Sequence, residues 1–400
     1  MKRMILCAAL LCAAASAAFA QTANAKAPAA EAARVEGRRY VVYSELGGVA
    51  AEGLAARLDA LFELYGAFFR FDPALLQGKL VVREFAGKAA FDSYLAQVAG
   101  QGKEDFVYLH YQSPERRELL VFAKDEPDRS ASLAHQAFVQ YIKAFVQNPP
   151  LWLRDGFAVF FETAAWYEEK GSLSFSENLA WLETAKALAA KGSFLPLERL
   201  LSITPEESRS SLDVYYPEAW AFVSFLANGA EGGYDRFLWD TISGLRKDAS
   251  LQENQDAAAA RLEAWYGKSD SEKAFASYLE GRLTFPELVQ AGVKSYGEKA
   301  YDAAREAFEA ARELDPESYV PPYYLGLIAY AKGDFGLADF EYKDALRLGC
   351  DPAIGNYALG LNAYAQNRAE DAKGFLGLAK EAAPERYGAK VEELLARFQK

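Results

Sequence analysis

Two histidines and three cysteines stand in a chain of 400 residues, so any general base, metal centre or thiol nucleophile must be built from few groups. His135 lies in Leu133-Ala134-His135-Gln136-Ala137-Phe138-Val139-Gln140, and Asp155 follows in Trp152-Leu153-Arg154-Asp155-Gly156. A zinc site on one helix uses two His four residues apart, because that spacing turns both imidazoles toward one ion, and a Glu beside the first polarises the bound water. His135 has no such second His. The other histidine, His110, falls on a predicted strand ahead of the helix, where it reads as a sheet-edge or partly buried residue. A metal set of His110, His135 and Asp155 is the alternative that distant convergence allows, and zinc would be its ion. Serine chemistry has few bases to draw on, and no small-x-Ser-x-Gly elbow joins a strand to a helix. Glu162, Glu168 and Glu169 with Asp155 could pair for sugar hydrolysis, but acidic residues on helix faces are usually solvated. No glycine-rich phosphate loop follows a strand.

The elements that must carry these groups show as changes of period. Arg39 to Ser44 and Leu80 to Phe85 read as strands rich in β-formers. Between them Leu54, Leu58, Leu61, Phe62 and Tyr65 keep helical spacing, ending in Phe68-Phe69-Arg70-Phe71. A short helix is predicted over Ala89 to Val98, then paired strands over Phe106 to Tyr111 and Glu118 to Ala123. Residues 38–131 thus form a small α+β subdomain with four strands. From Ser132 the period is helical: one helix to Phe145, stopped by Pro149-Pro150, and a second from Trp152 to Glu169. Further helices are predicted at Glu177 to Lys191, Leu197 to Leu201, Pro217 to Leu226, Tyr234 to Leu245 and Ala257 to Tyr266. Residues 132–284 make one helical lobe.

Residues 285–400 repeat. Gly292, Gly326 and Gly360 are spaced by 34 residues, as are Tyr296, Tyr330 and Tyr364, and Ala304, Ala338 and Ala372. The same period joins Phe308, Tyr342 and Leu376, then Ala311, Ala345 and Ala379. This pattern resembles the tetratricopeptide repeat, in which small residues let two antiparallel helices approach and aromatic residues fill the layer between repeats. Pro316 and Pro384 stand at the closing turn; the middle repeat has Cys350 there and Pro352 two residues later. The resemblance implies three repeats with a terminal helix near Val391 to Phe398. It places a concave, partner-facing surface at Val289 and Val293, at Val320, Tyr323, Leu327 and Lys332, and at Ile354, Tyr357, Leu361 and Gln366. With few basic side chains, such a surface suits a peptide or helix with apolar anchors better than an acidic tail.

The stretch around His135 resembles the peptidase-MA-like gluzincins, zinc metallopeptidases that also occur fused to tetratricopeptide repeats. Their pattern is a His-Glu-x-x-His helix, a break, and a Pro-x-Trp-Leu-x-Glu-Gly-like segment opening the next helix. Laid on this chain, the first His falls on His135, the general base on Gln136, the second His on Val139 and the third ligand on Asp155. Leu197 to Leu201 and Tyr216-Pro217-Glu218-Ala219-Trp220 are similar to the family's downstream half, with Tyr215 or Tyr216 at the place of a Tyr that steadies the tetrahedral intermediate. Val139 has no lone pair, and Gln136 hydrogen-bonds a water without taking its proton near neutral pH. The resemblance therefore implies an α+β, predominantly helical chain: a small mixed sheet with a gluzincin-like lobe, followed by an α-α solenoid, without catalysis and without a cofactor. His135 is then read as a helix residue hydrogen-bonded inside the lobe, to Asp155 or a downstream tyrosine.

Lys2 and Arg3, the apolar run from Met4 to Phe19 and Ala18-Phe19-Ala20 read as a secretory signal over residues 1–20, with a flexible leader over 21–37. Its removal leaves 42 basic against 56 acidic residues, a formal charge of -14, which opposes nucleic acid and anionic membrane faces. Cys350 is then the one cysteine left, so no internal disulfide forms. The chain is expected in the periplasm or otherwise exported, free or envelope-associated, without a membrane span after cleavage and with an envelope protein or peptide segment as partner. A module for cell-wall glycans, stacking on Trp152, Trp166 and the downstream tyrosines, is the other binding reading.

Overall fold

The computed structural model describes residues 32–100, 102–229 and 232–397, in two compact units divided between Gly281 and Arg282. The expected signal and residues 21–31 of the expected leader lie outside the described residues. The leader's last residues are not loose: Ala33–Glu36 form β1, antiparallel to β2 (Tyr40–Ser44). An Ala-rich, charged sequence hides this strand, which is secured by partners remote in sequence. The Asp59 carboxylate accepts the backbone N–H groups of Arg38 and Arg39, each at 2.7 Å, and fixes the β1–β2 corner.

Helix α1 (Gly48–Phe69) returns the chain so that β3 (Leu80–Phe85) pairs parallel to β2. After α2 (Lys88–Ala99) and β4 (Val107–Leu109), β5 (Glu118–Phe122) enters parallel to β3 and antiparallel to β4. The sheet has five strands rather than four, in the order β1-β2-β3-β5-β4. Its parallel centre requires helical crossovers. Tyr40, Val42, Val82, Leu119 and Leu120 are buried together with Leu58, Phe62 and Tyr65 of α1.

Helix α3 (Asp128–Phe145) packs on α1, where the Tyr65 hydroxyl donates to the Ala134 carbonyl at 2.6 Å. Helix α4 (Leu151–Phe160) is shorter than expected. Instead of running to Glu169, the chain turns into a hairpin of β6 (Ala165–Tyr167) and β7 (Ser172–Ser174). Gly171, at φ 55°, takes the left-handed conformation this turn requires, and Trp166 and Tyr167 favour strand. Then follow α5 (Leu182–Ala190), α6 (Leu197–Leu201), α7 (Pro205–Ser210), α8 (Leu212–Asn228), α9 (Tyr234–Ser243), α10 (Leu251–Trp265) and α11 (Lys268–Gly281). Helix α7 was not anticipated; a reciprocal cap between Thr204 and Glu207 starts it, and the same device at Ser250 and Glu253 starts α10 ahead of Ala257. Gly156 sets the crossing of α4 on α8, since a Cβ there would lie 2.4 Å from the Ala219 carbonyl oxygen.

The second unit is a row of helices: α12 (Phe285–Gly297), α13 (Tyr301–Leu314), α14 (Val320–Lys332), α15 (Phe335–Arg347), α16 (Pro352–Ala365), α17 (Ala369–Ala382) and α18 (Pro384–Arg397). The first six pair as hairpins, and the repeating columns sit where these pairs meet. Ala304, Ala338, Ala372, Ala311, Ala345 and Ala379 are all fully buried. In the middle repeat Gly349, at φ 91°, turns the chain in place of a proline, and the Asp351 side chain caps α16 through the Ala353 N–H at 2.8 Å. Among the described residues no helix is long and apolar enough to cross a membrane.

Candidate functional site

Helices α3 and α4 carry the four positions at which the zinc chemistry would reside, and each is committed to another task. His135 Nδ1 lies 2.9 Å from Glu162 Oε1, not against Asp155. Glu162 is held in turn by Asn178 Nδ2 at 3.2 Å. The His135 ring stands 6.2 Å from that of Tyr216, one of the downstream tyrosines. Gln136 is buried, and its Oε1 accepts the backbone N–H of Tyr108 at 3.3 Å, which ties edge strand β4 to α3. Val139 packs against the core.

Asp155 is buried and fully engaged. Arg154 Nε and Nη2 donate to its two oxygens at 2.6 and 2.9 Å, and the Tyr215 hydroxyl adds a bond to Oδ2 at 3.0 Å. Burial opposes the charge on Arg154, but the Asp155 carboxylate outweighs it and holds the guanidinium above its ordinary range. The Tyr215 hydroxyl is pushed far up, first by burial and then by the Asp155 charge. Both oxygens of Asp155 thus accept bonds from the protein, and the Tyr215 hydroxyl donates one of them.

His110 does not join the other two. Its Nδ1 lies 3.3 Å from the Tyr108 hydroxyl, and burial, reinforced by Lys143, Arg117 and Arg154, pushes its imidazole down to about 3. Lys143 is pushed down to about 7, by burial first and then by Arg154, with Asp155 opposing. Positive charge therefore surrounds the place where a cation was to be considered. Among the described residues no group of three or more His, Cys, Asp or Glu is placed to hold a metal ion. Within the set His110, His135 and Asp155 each residue is bonded to a different partner: Tyr108, Glu162 and Arg154 respectively.

Of the aromatics in the glycan reading, Trp166 is partly exposed and Trp152 is not. Trp152 is fully buried and meets Phe222 edge-on at 5.1 Å, so it offers no face for a sugar to stack on. Tyr215 is buried as well. The carboxylates considered for sugar hydrolysis divide: Glu168 and Glu169 are exposed, whereas Glu162 is partly buried in its bond with His135.

In the second unit a cavity of about 310 Å³ is lined by Val289, Val293, Tyr319, Val320, Tyr323, Tyr324, Cys350 and Ile354. Five of the residues expected to face a partner thus converge: Val289, Val293, Val320, Tyr323 and Ile354. The others are placed differently. Leu327 packs into the interior of the second and third repeats, Lys332 pairs with Asp302, and Tyr357 stacks on Tyr387 of α18 at 4.5 Å. The Gln366 amide donates to the Asn362 carbonyl, and Leu361 is half-buried on α16. Tyr319, Tyr324 and Cys350 were missed. The 34-residue columns mark residues between paired helices and the closing turn; Tyr319 and Tyr324, at the start of α14, stand outside them, and Cys350 shares the turn column with Pro316 and Pro384, which by itself signals only a turn. Burial pushes the Cys350 thiol up to about 11, so it is a wall of the cavity and a poor nucleophile.

No protein-family model matches the chain, and no curated protein matches it. Among solved structures it is similar to the first TPR of Spaghetti (RPAP3) bound to the HSP90 peptide SRMEEVD. The identity is 18%, the match covers 29% of this chain and 94% of that one, and the TM-score is 0.27. The chain's C-terminal unit is a helical-repeat region on its own geometry.

Proposed function

We propose that this chain is an exported, non-catalytic protein built on a zinc-peptidase plan, which docks an apolar segment of an envelope protein through its C-terminal repeats. The observation that carries this reading is the cavity between α12, α14 and α16, whose lining is aliphatic and tyrosine-rich with no cationic side chain. Tyrosines of this kind supply large contact area at small entropic cost, and a partner's Leu, Ile or Phe anchor fits a space of that size. The engagement of Asp155 by Arg154 and Tyr215, with Val139 and Gln136 where a ligand and base would be needed, supports the absence of catalysis.

The test uses the full chain with a photo-crosslinking phenylalanine analogue replacing Tyr323, exposed to an envelope fraction. The expected product is a crosslink to one apolar segment, competed by a synthetic peptide of that segment and lost in Val293→Lys. Crosslinking that survives Val293→Lys, or that maps to acidic chain ends, overturns the groove. Stoichiometric zinc retained through mild chelation together with peptide cleavage overturns the non-catalytic half.

A further inference from the structure

A second cavity, of about 230 Å³, lies in the first unit and shares only Tyr215 with the sites described above. Leu195, Ile203 and Val214 form its apolar walls, and Tyr215 and Glu218 of α8 also line it. Glu218 is 1% exposed, yet its Oε2 has no hydrogen-bond partner. A buried oxygen left unpaired costs about 1–3 kcal/mol, more if charged, and such an atom at a cavity wall calls for a ligand. Arg199 and Glu207 line the same space as an ion pair, and Glu207 is further held by the Thr204 hydroxyl at 2.8 Å. The rim thus carries a balanced pair, and the carboxyl inside is the group without a counterpart.

We propose that this cavity binds a primary alkylammonium group on a short alkyl stem, the chemistry of a lysine side chain, with the ammonium donating to Glu218 Oε2. The volume is below the range of about 300–1,000 Å³ typical of drug-sized ligands, so one side chain fills it. The stem lies along Leu195, Ile203 and Val214, and the head meets the buried Glu218 oxygen that has no partner in the protein. Burial, opposed by the Leu195 backbone N–H, pushes the Glu218 carboxyl up to about 8. The other titratable groups near it are Arg199 and Glu207 on the cavity wall and Tyr215, with Asp155 and Arg154 behind the tyrosine. An incoming ammonium draws the proton off Glu218 to solvent, so binding and proton release are coupled.

The probe is Nα-acetyl-lysine N-methylamide, titrated calorimetrically into the full chain in two buffers of different ionisation enthalpy; the norleucine analogue, with a like stem and no charge, is the control. The expected result is saturable binding by the lysine compound only, with release of most of a proton at pH 7 and affinity about 50-fold weaker at pH 6 than at pH 8. Glu218→Gln, close in shape and not ionisable, is expected to lose at least about tenfold in affinity while unfolding at an unchanged or higher temperature. Binding that is absent, independent of pH, equal for the norleucine compound, or intact in a folded Glu218→Gln chain overturns the proposal. If that variant does not fold, the proton count and pH profile of the unaltered chain decide alone.

Discussion

Gly326 lies so close to the ring of Tyr342 that a Cβ on it would stand 2.5 Å from Cδ1. The relation recurs with Gly292 against Phe308 and Gly360 against Leu376, where the added atom would stand 2.7 Å away. Each glycine is on the first helix of a pair and each large side chain on the second, so the missing Cβ is what lets the two helices close on a bulky residue.

From this follows a coupled pair of mutations. Gly326→Ala is expected to destabilise the chain by about 1–3 kcal/mol, as overpacking does in tight cores. Tyr342→Leu, damaging alone, is expected to cost less in the Gly326→Ala background. Denaturant unfolding of the four chains in a double-mutant cycle measures the coupling, and strict additivity would show that the two residues do not share the space.

Asp155 is the counter-charge of Arg154 and has no free oxygen. Asp155→Ala leaves that guanidinium unpaired and is expected to cost about 3–5 kcal/mol, whereas Arg154→Met with Asp155→Leu together costs much less. Tyr215→Phe removes one bond to Asp155 and is expected to cost about 1 kcal/mol. Thermal or urea unfolding separates these outcomes; equal losses in the single and double variants would place the stability outside the ion pair.

A repaired zinc helix is a sharper test. Gln136→Glu with Val139→His restores the side chains that the peptidase pattern asks for, yet Asp155 stays bonded to Arg154 and Tyr215. The prediction is no stoichiometric zinc after mild chelation, measured by elemental analysis, until Arg154 is also replaced by Ala. Tight zinc in the two-residue variant would show that Asp155 moves freely.

Stability should rise with pH through two named groups, each in its own window. His110, pushed down to about 3 in the folded chain, binds its proton more readily when unfolded, so its contribution is lost as pH falls from about 6.5 toward 3. Lys143, pushed down to about 7, is costly to bury charged, so stability rises as pH climbs from about 7 toward 10.5. Lys143→Met is expected to flatten that rise and to stabilise the chain most below pH 7. Unfolding free energies across pH 5 to 10, with and without the substitution, read the difference directly.

The sequence shows those parts of the fold that rest on period. Strand Leu80–Phe85 and helix Leu197–Leu201 stand where apolar spacing placed them, and the glycine and alanine columns fall between paired helices. It conceals what rests on distant partners. Ala33–Glu36 becomes a strand through pairing with β2 beside a corner fixed by Asp59, and α4 yields to a hairpin because Gly171 offers a left-handed turn. The same division holds at the sites. Val289, Val320, Tyr323 and Ile354 follow the repeat and line one cavity; Tyr319 comes from a turn outside the columns, and Cys350 stands in the turn column with Pro316 and Pro384, which by itself signals only a turn. Glu218 reads as an ordinary helical glutamate until the fold encloses it.

Lys332, the one cation expected along the repeat groove, is drawn away by Asp302, and the cavity wall keeps no other. No cationic side chain lines the cavity to pair with the carboxylate of a chain terminus. On the proposed docking, the occupant is then an internal segment, with sequence continuing on both sides, and free C-terminal tails are expected not to compete with it.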